Sequence, residues 1–446
     1  MRAMVRVVVA AGVAAVLTVT AAIAFVRTPE ASRPDASATG QAPSSSVFLL
    51  PAPGAGSLEA SISSLQKRLR VRPGDSRGFA SLGLAYVAQA RMTADPSWYP
   101  KAEGVLQESL RLHAADNVEA LLGLGALELA RHDFASALER GRAAQELDPY
   151  DADVYGVQGD ALVELGRYDE AFATFQTMVD TRPDIASYAR ASYARELMGD
   201  VLGAMDAMRT AFDAAGLPAD AAWAAFQLGE LEFGRGSLAT AADWYRRGLD
   251  LAPTYVPNLA GMAKVAWARG DAGLAIRRYR AAVAAYPSVE YVAALGDLFA
   301  TIGREDLARE QYAVVQATRS LAQANGVNVD LEIALFDADH GDPEGALAAA
   351  EAEWARRNSV HVADAYAWAL YANGRYEEAA RIQRRALRLG TRSALFLFHA
   401  GMIELAKGND DDALRLLRRA VATDPSFSIL HARTAERTLH DLEAEL

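Results

Sequence analysis

From residue 58 onward, apolar positions recur at the three- and four-residue spacing of amphipathic helices, in paired segments broken by glycine. The glycines keep a period. Gly166, Gly199, Gly236, Gly270, Gly303, Gly341, Gly374 and Gly408 are separated by 33, 37, 34, 33, 38, 33 and 34 residues. Five residues after each stands an alanine: Ala171, Ala204, Ala241, Ala275, Ala308, Ala346, Ala379 and Ala413. Helices approach closely where a side chain is small, so each period predicts one helical hairpin with its alanine at the crossing. Pro183, Pro253, Pro287 and Pro425 follow the second helices and end them, because proline cannot continue the hydrogen-bond ladder. In an earlier unit His132 stands where the turn glycine belongs.

About ten such units are expected over residues 76–427, giving an all-α chain built as an α-solenoid. The first unit (Phe79, Leu82, Gly83, Tyr86, Ala102, Leu106) carries extra residues between Arg91 and Lys101, which predicts a protruding loop. A stack of hairpins exposes a core face at each end unless a polar-backed helix covers it. Residues 57–75, with Leu58, Ile62, Leu65 and Leu69, fit an N-terminal cap. Residues 428–446 fit a C-terminal one: Ala435, Leu439, Leu442 and Leu446 form a stripe with Arg433, Glu436, Arg437 and Asp441 off it.

Ahead of this array, Arg2 and Arg6 precede an uncharged run from Val7 to Val26, about the ~20 residues that cross a bilayer as a helix. Residues 1–27 read as a single transmembrane anchor or as a signal peptide, with Ala22-Ile23-Ala24 as a cleavage site. Either reading sets the body outside the cytoplasm, held by the membrane or secreted. Residues 28–56, rich in Pro, Ser and Ala, read as a flexible linker.

The period and its residues resemble the tetratricopeptide repeat family. One unit shows Leu228, Gly229, Gly236, Ala241, Tyr245 and Pro253; another Leu295, Gly296, Phe299, Gly303, Ala308 and Tyr312; a third Leu124, Gly125, Ala137, Ala144 and Pro149. The resemblance implies a right-handed superhelix whose first helices line a concave face that binds another protein or peptide. At the family's inward motif positions stand Glu119, Asp153, Asp160, Glu164, Glu196, Glu230, Glu290, Asp297, Asp339 and Asp364. Apart from His361, Lys264 is the only basic residue there, although 45 of the 446 residues are Lys or Arg. The same positions hold Trp223, Phe226, Phe233, Trp267, Trp368, Tyr371 and Phe398. An acidic, aromatic-lined groove for a neutral or basic segment is therefore expected, since aromatics on an exposed wall make binding anchors.

The remaining totals narrow the classes. A net charge of -12 argues against nucleic-acid binding, which needs a positive field. With no cysteine there is no disulfide or thiolate chemistry. No phosphate-binding loop, dinucleotide fingerprint, nucleophile elbow or zinc-protease motif is found, so a non-enzymatic scaffold without cofactor is expected. One alternative remains: five of seven histidines lie in the final third, and His361, Asp364 and His399 have the types and the one-repeat spacing to hold a divalent ion.

Overall fold

The computed structural model describes residues 55–445; the expected anchor or signal segment and nearly all of the linker lie outside them. Among the described residues there are 22 α-helices, and no helix is long and apolar enough to cross a membrane. Helix α1 (Ala55–Val71) stands alone. Ten hairpins follow. The first five are α2 (Ser76–Thr93) with α3 (Tyr99–Leu112), α4 (Val118–Ala130) with α5 (Phe134–Leu147), α6 (Ala152–Glu164) with α7 (Tyr168–Thr181), α8 (Ile185–Leu197) with α9 (Val201–Asp213), and α10 (Pro218–Phe233) with α11 (Leu238–Leu251). The second five are α12 (Val256–Ala268) with α13 (Ala272–Ala285), α14 (Val289–Thr301) with α15 (Glu305–Ala324), α16 (Asp330–Asp339) with α17 (Pro343–Arg356), α18 (Val360–Ala372) with α19 (Tyr376–Ala386), and α20 (Ala394–Ala406) with α21 (Asp410–Thr423). Helix α22 (Ala432–Ala444) closes the array.

Each tight turn does two jobs. In the α8–α9 turn, Gly199 takes φ of +75° and the Asp200 N–H reaches back to the Arg195 carbonyl at 2.9 Å, satisfying the end of α8. The Asp200 side chain then accepts the Gly203 N–H at 3.0 Å and caps α9. The eight period alanines are all 0% exposed, which is the crossing their spacing requires. Between hairpins, Tyr245 is likewise fully buried, wedged between Gly229 of its own unit and Gly261 of the next. At the ends, Leu58, Ile62 and Leu69 of α1, and Ala435 and Leu442 of α22, turn inward under polar outer faces. The Arg91–Lys101 insertion does not protrude: Ala94, Pro96 and Tyr99 are buried, and Trp98 packs on Tyr86 at 5.4 Å.

The solenoid closes on itself. Asn328, between α15 and α16, donates its N–H to the Arg131 carbonyl in the α4–α5 turn at 3.0 Å, and its own carbonyl lies 2.6 Å from His132 Nδ1. In the next register, the Val360 N–H at the start of α18 donates to the Tyr168 hydroxyl at 2.7 Å. Beside it Arg357, buried, pairs with Glu164 and with Glu353. Thr391, between α19 and α20, donates to the Leu197 carbonyl at 2.5 Å in the α8–α9 turn. Pro425, between α21 and α22, lies against Gly236 of the α10–α11 turn. All four contacts join a within-hairpin turn to a between-hairpin loop eleven helices later. The 22 helices thus form two superhelical turns stitched by one seam, and two core clusters cross it, joining residues 58–127 to 322–369 and 84–197 to 360–403.

Candidate functional site

Packing between neighbouring units and beneath the terminal cap decides which inward residues remain available. Trp223, Phe233, Trp368 and Phe398 are 4, 6, 6 and 1% exposed, so these four pack in cores instead of standing on an open wall. Trp223 sits among Met205, Met208 and Leu231; Trp368 and Phe398 lie in the core under α22. Trp368 stacks on Tyr371 at 4.6 Å and donates its indole N–H to Asp339 at 2.7 Å. Phe226, Trp267 and Tyr371 remain half-buried. Arg433 of α22 lies over the Trp267 ring, 5.6 Å from its centroid, so the terminal cap reaches the middle of the array.

Most of the inward carboxylates already have partners. Asp160 receives two hydrogen bonds from Arg190, at 2.8 and 2.7 Å, with both groups buried. Asp153 pairs with Arg182 and Glu164 with Arg357. Asp297 accepts from the Tyr312 hydroxyl at 2.9 Å and faces His340 Nε2 at 2.9 Å. These arginines were not foreseen because Arg182 and Arg357 lie in between-hairpin loops and Arg190 in α8 off the inward motif positions. Nothing in a helical repeat pattern distinguishes such an arginine from a solvated one.

The candidate metal trio separates in the same way. Asp364 accepts from Gln383 at 2.8 Å and lies 2.9 Å from His399 Nδ1, the histidine and carboxylate each about 1% exposed. His361 turns away, its Nε2 3.4 Å from the Tyr193 hydroxyl. Burial, with the Arg357 cation adding to it and Asp364 opposing, pushes the His361 pKa down to about 4. Among the described residues no group of three His, Cys, Asp or Glu stands where it could hold a metal ion.

What remains is a short row of half-buried carboxylates on three of four successive first helices: Glu196 of α8, Glu230 of α10 and Glu290 of α14. Lys264 of α12 crosses this row, with Nζ 2.6 Å from Glu230 and 4.5 Å from the centroid of Phe233. The Tyr245 hydroxyl also donates to Glu230, at 2.6 Å. Burial, then the charge of Glu230, pushes the Glu196 carboxyl up to about 7. Glu290 is likewise pushed up to about 7 by burial, opposed by Lys264 and reinforced by Glu230. Asp220, at the start of α10, rises to about 6 by burial alone. One ammonium thus faces Glu230 and Glu290 in a partly desolvated setting.

Sequence comparisons agree with this architecture. Two tetratricopeptide repeat models match, one at residues 97–152, 261–324 and 365–426 and the other at residues 128–195, together about half of the chain. No curated protein matches. Among solved structures, the APC/C hetero-tetramer Cut9-Hcn1 is 13% identical, covering 87% of this chain and 93% of that one at a TM-score of 0.38. Yeast Tom70 is 12% identical over 88% and 93%, TM-score 0.35. A human IFIT1 dimer with PPP-AAAA is 13% identical over 82% and 87%, TM-score 0.46.

Proposed function

Because this chain belongs to the tetratricopeptide repeat family, we propose that it is a non-enzymatic scaffold that holds a neutral or basic segment of another protein against the carboxylate row of its inner face. The observation that carries the reading is the imbalance at Glu196, Glu230 and Glu290, where Lys264 faces Glu230 and Glu290 while Glu196 meets only the charge of Glu230. A lysine or arginine entering the row gains charge-assisted hydrogen bonds that the free protein lacks, and it lowers the pKa of the carboxyls it meets. Phe226 and Trp267, half-buried on neighbouring first helices, offer apolar surface for the stem of such a side chain. The site is smaller than the full groove that motif positions alone suggest, and it draws on α8, α10, α12 and α14.

The apolar run from Val7 to Val26 supports a body held outside the cytoplasm, by a retained anchor or after export. Protease added to intact cells or spheroplasts should remove the repeat array; full protection until lysis would refute that placement. For binding, the full-length chain and a Glu196→Gln/Glu230→Gln/Glu290→Gln variant serve as baits at low and high salt. A partner retained by the first, lost from the second and released by salt supports the carboxylate row. Equal retention by both would refute it.

A further inference from the structure

The seam joins two kinds of surface, and each kind has a second stretch that is left without a partner among the described residues. Along one free edge run the five within-hairpin turns of the second superhelical turn, where a Cβ on any of the turn glycines from Gly270 to Gly408 would meet nothing within 4 Å. Along the opposite edge run the between-hairpin loops of the first superhelical turn, at residues 113–117, 148–151, 182–184 and 214–217.

Among the described residues nine large apolar side chains are exposed; Leu147 and Tyr150 border one of these loops and Ile302 and Tyr376 border two of the free glycine turns, while Met198 and Leu202 flank the seam turn at Gly199. Tyr150, at 87%, is the most exposed of them.

The docking sequence itself recurs. Gly166-Arg167-Tyr168-Asp169-Glu170-Ala171 lies on the seam, and Gly374-Arg375-Tyr376-Glu377-Glu378-Ala379 lies on the free edge, differing by one acidic residue. The local geometry is shared: Arg167 pairs with Glu170 and Arg375 with Glu378, both with Nε at 2.7 Å. Only the surroundings differ. Tyr168 is 5% exposed and its hydroxyl accepts the N–H of Val360, whereas Tyr376 is 37% exposed. First-turn amides of a helix have no acceptor within the helix, and the loops at 113–117, 148–151 and 182–184 lead into N–H groups of the kind that Tyr168 captures, whereas α10 opens on Pro218, which has none.

We propose that the free glycine-turn edge of one molecule docks on the free loop edge of a second copy of this chain, repeating the internal seam between molecules. Tyr376 takes the place of Tyr168, and the loop bearing Tyr150 belongs to the receiving edge. Each copy presents one surface of each kind, so the contact is heterologous and propagates head to tail instead of closing as a symmetric pair. The capped ends of the array leave these edges as the route of growth.

Sedimentation velocity of the full-length chain, in one detergent throughout and over a range of concentrations, tests this. The wild type should pass beyond dimer mass as concentration rises. Tyr376→Arg and Tyr150→Arg should each stay monomeric alone, with melting curves like the wild type because both side chains are exposed. Mixed in equal amounts they should form dimers and stop, since each retains one intact edge. A wild type that is monomeric at every concentration, a wild type that stops at dimers, or assembly that survives either substitution would overturn the proposal.

Discussion

Two rows of turn glycines do different work in this molecule. Gly166 and Gly199 lie on the seam, where a Cβ at Gly166 would stand 2.5 Å from the Asn358 carbonyl and one at Gly199 would collide with the Gly390 carbonyl. Gly374 and Gly408 take the same positive φ but face open space. The first pair is needed twice, for the left-handed turn and for close approach of another superhelical turn; the second pair is needed only for the turn. Identical spacing in sequence therefore hides a difference that only the superhelical closure creates.

The largest effect should come from the charge that crosses the seam. Arg357→Ala leaves Glu164 buried without its cation and Glu353 with Arg356 alone, and should cost about 3–5 kcal/mol in denaturant unfolding. On the free edge Arg375→Ala breaks only solvent-exposed pairs with Glu378 and Glu351 and should leave the unfolding midpoint nearly unchanged. Next, Gly374→Ala should pay only for a left-handed alanine, about 1–2 kcal/mol. Gly199→Ala adds the collision with Gly390, for a total of about 3 kcal/mol, so its melting temperature should fall further. If the two glycine substitutions cost the same, the seam is not closed in solution.

Smaller still is the effect at His132, which takes φ of +60° although glycine would fit the turn better. Its ring bridges to Asn328, so His132→Gly should lose about 1 kcal/mol despite the easier backbone. A variant more stable than the wild type would mean that the bridge contributes nothing. The smallest effect is the response to pH. Glu196 and Glu290, raised to about 7 from 4.5, hold protons in the folded chain that the unfolded chain releases. Their contribution is fully present below 4.5 and is lost as pH rises through 7. His132 and His361, lowered to about 4 from 6.5, act in the opposite sense between those values. Above pH 6.5 only the carboxylates of this set still act, so stability should fall from there through pH 7, and Glu196→Gln/Glu290→Gln should flatten that slope.

The hairpins were legible in the sequence because each rests on a local rule. Gly199 ends α8, Asp200 caps α9, and Ala204 marks the crossing, all within six residues. The helical class and the family follow from such marks. The seam was not legible: Tyr168 and Val360 are 192 residues apart, and no periodicity links a hydroxyl to an amide at that distance. The candidate site was legible in part. Motif position indicates which face a side chain takes, and Glu230, Lys264 and Glu290 do lie together near one another. It does not indicate how tightly the superhelix curls, and that curl is what brings Arg357 to Glu164; nor does it indicate that Trp223 and Phe398 pack between neighbouring units and under the cap.

The stitched seam is tested most directly by hydrogen exchange at the amides of Asn328 and Val360. Both lie outside the ladder of intrahelical bonds, and their acceptors, the Arg131 carbonyl and the Tyr168 hydroxyl, lie across the seam. Two closed superhelical turns predict that these two amides exchange orders of magnitude more slowly than the Asp116 amide on a free-edge loop. Exchange as fast as at Asp116 would mean that the solenoid is open and its inner face unenclosed.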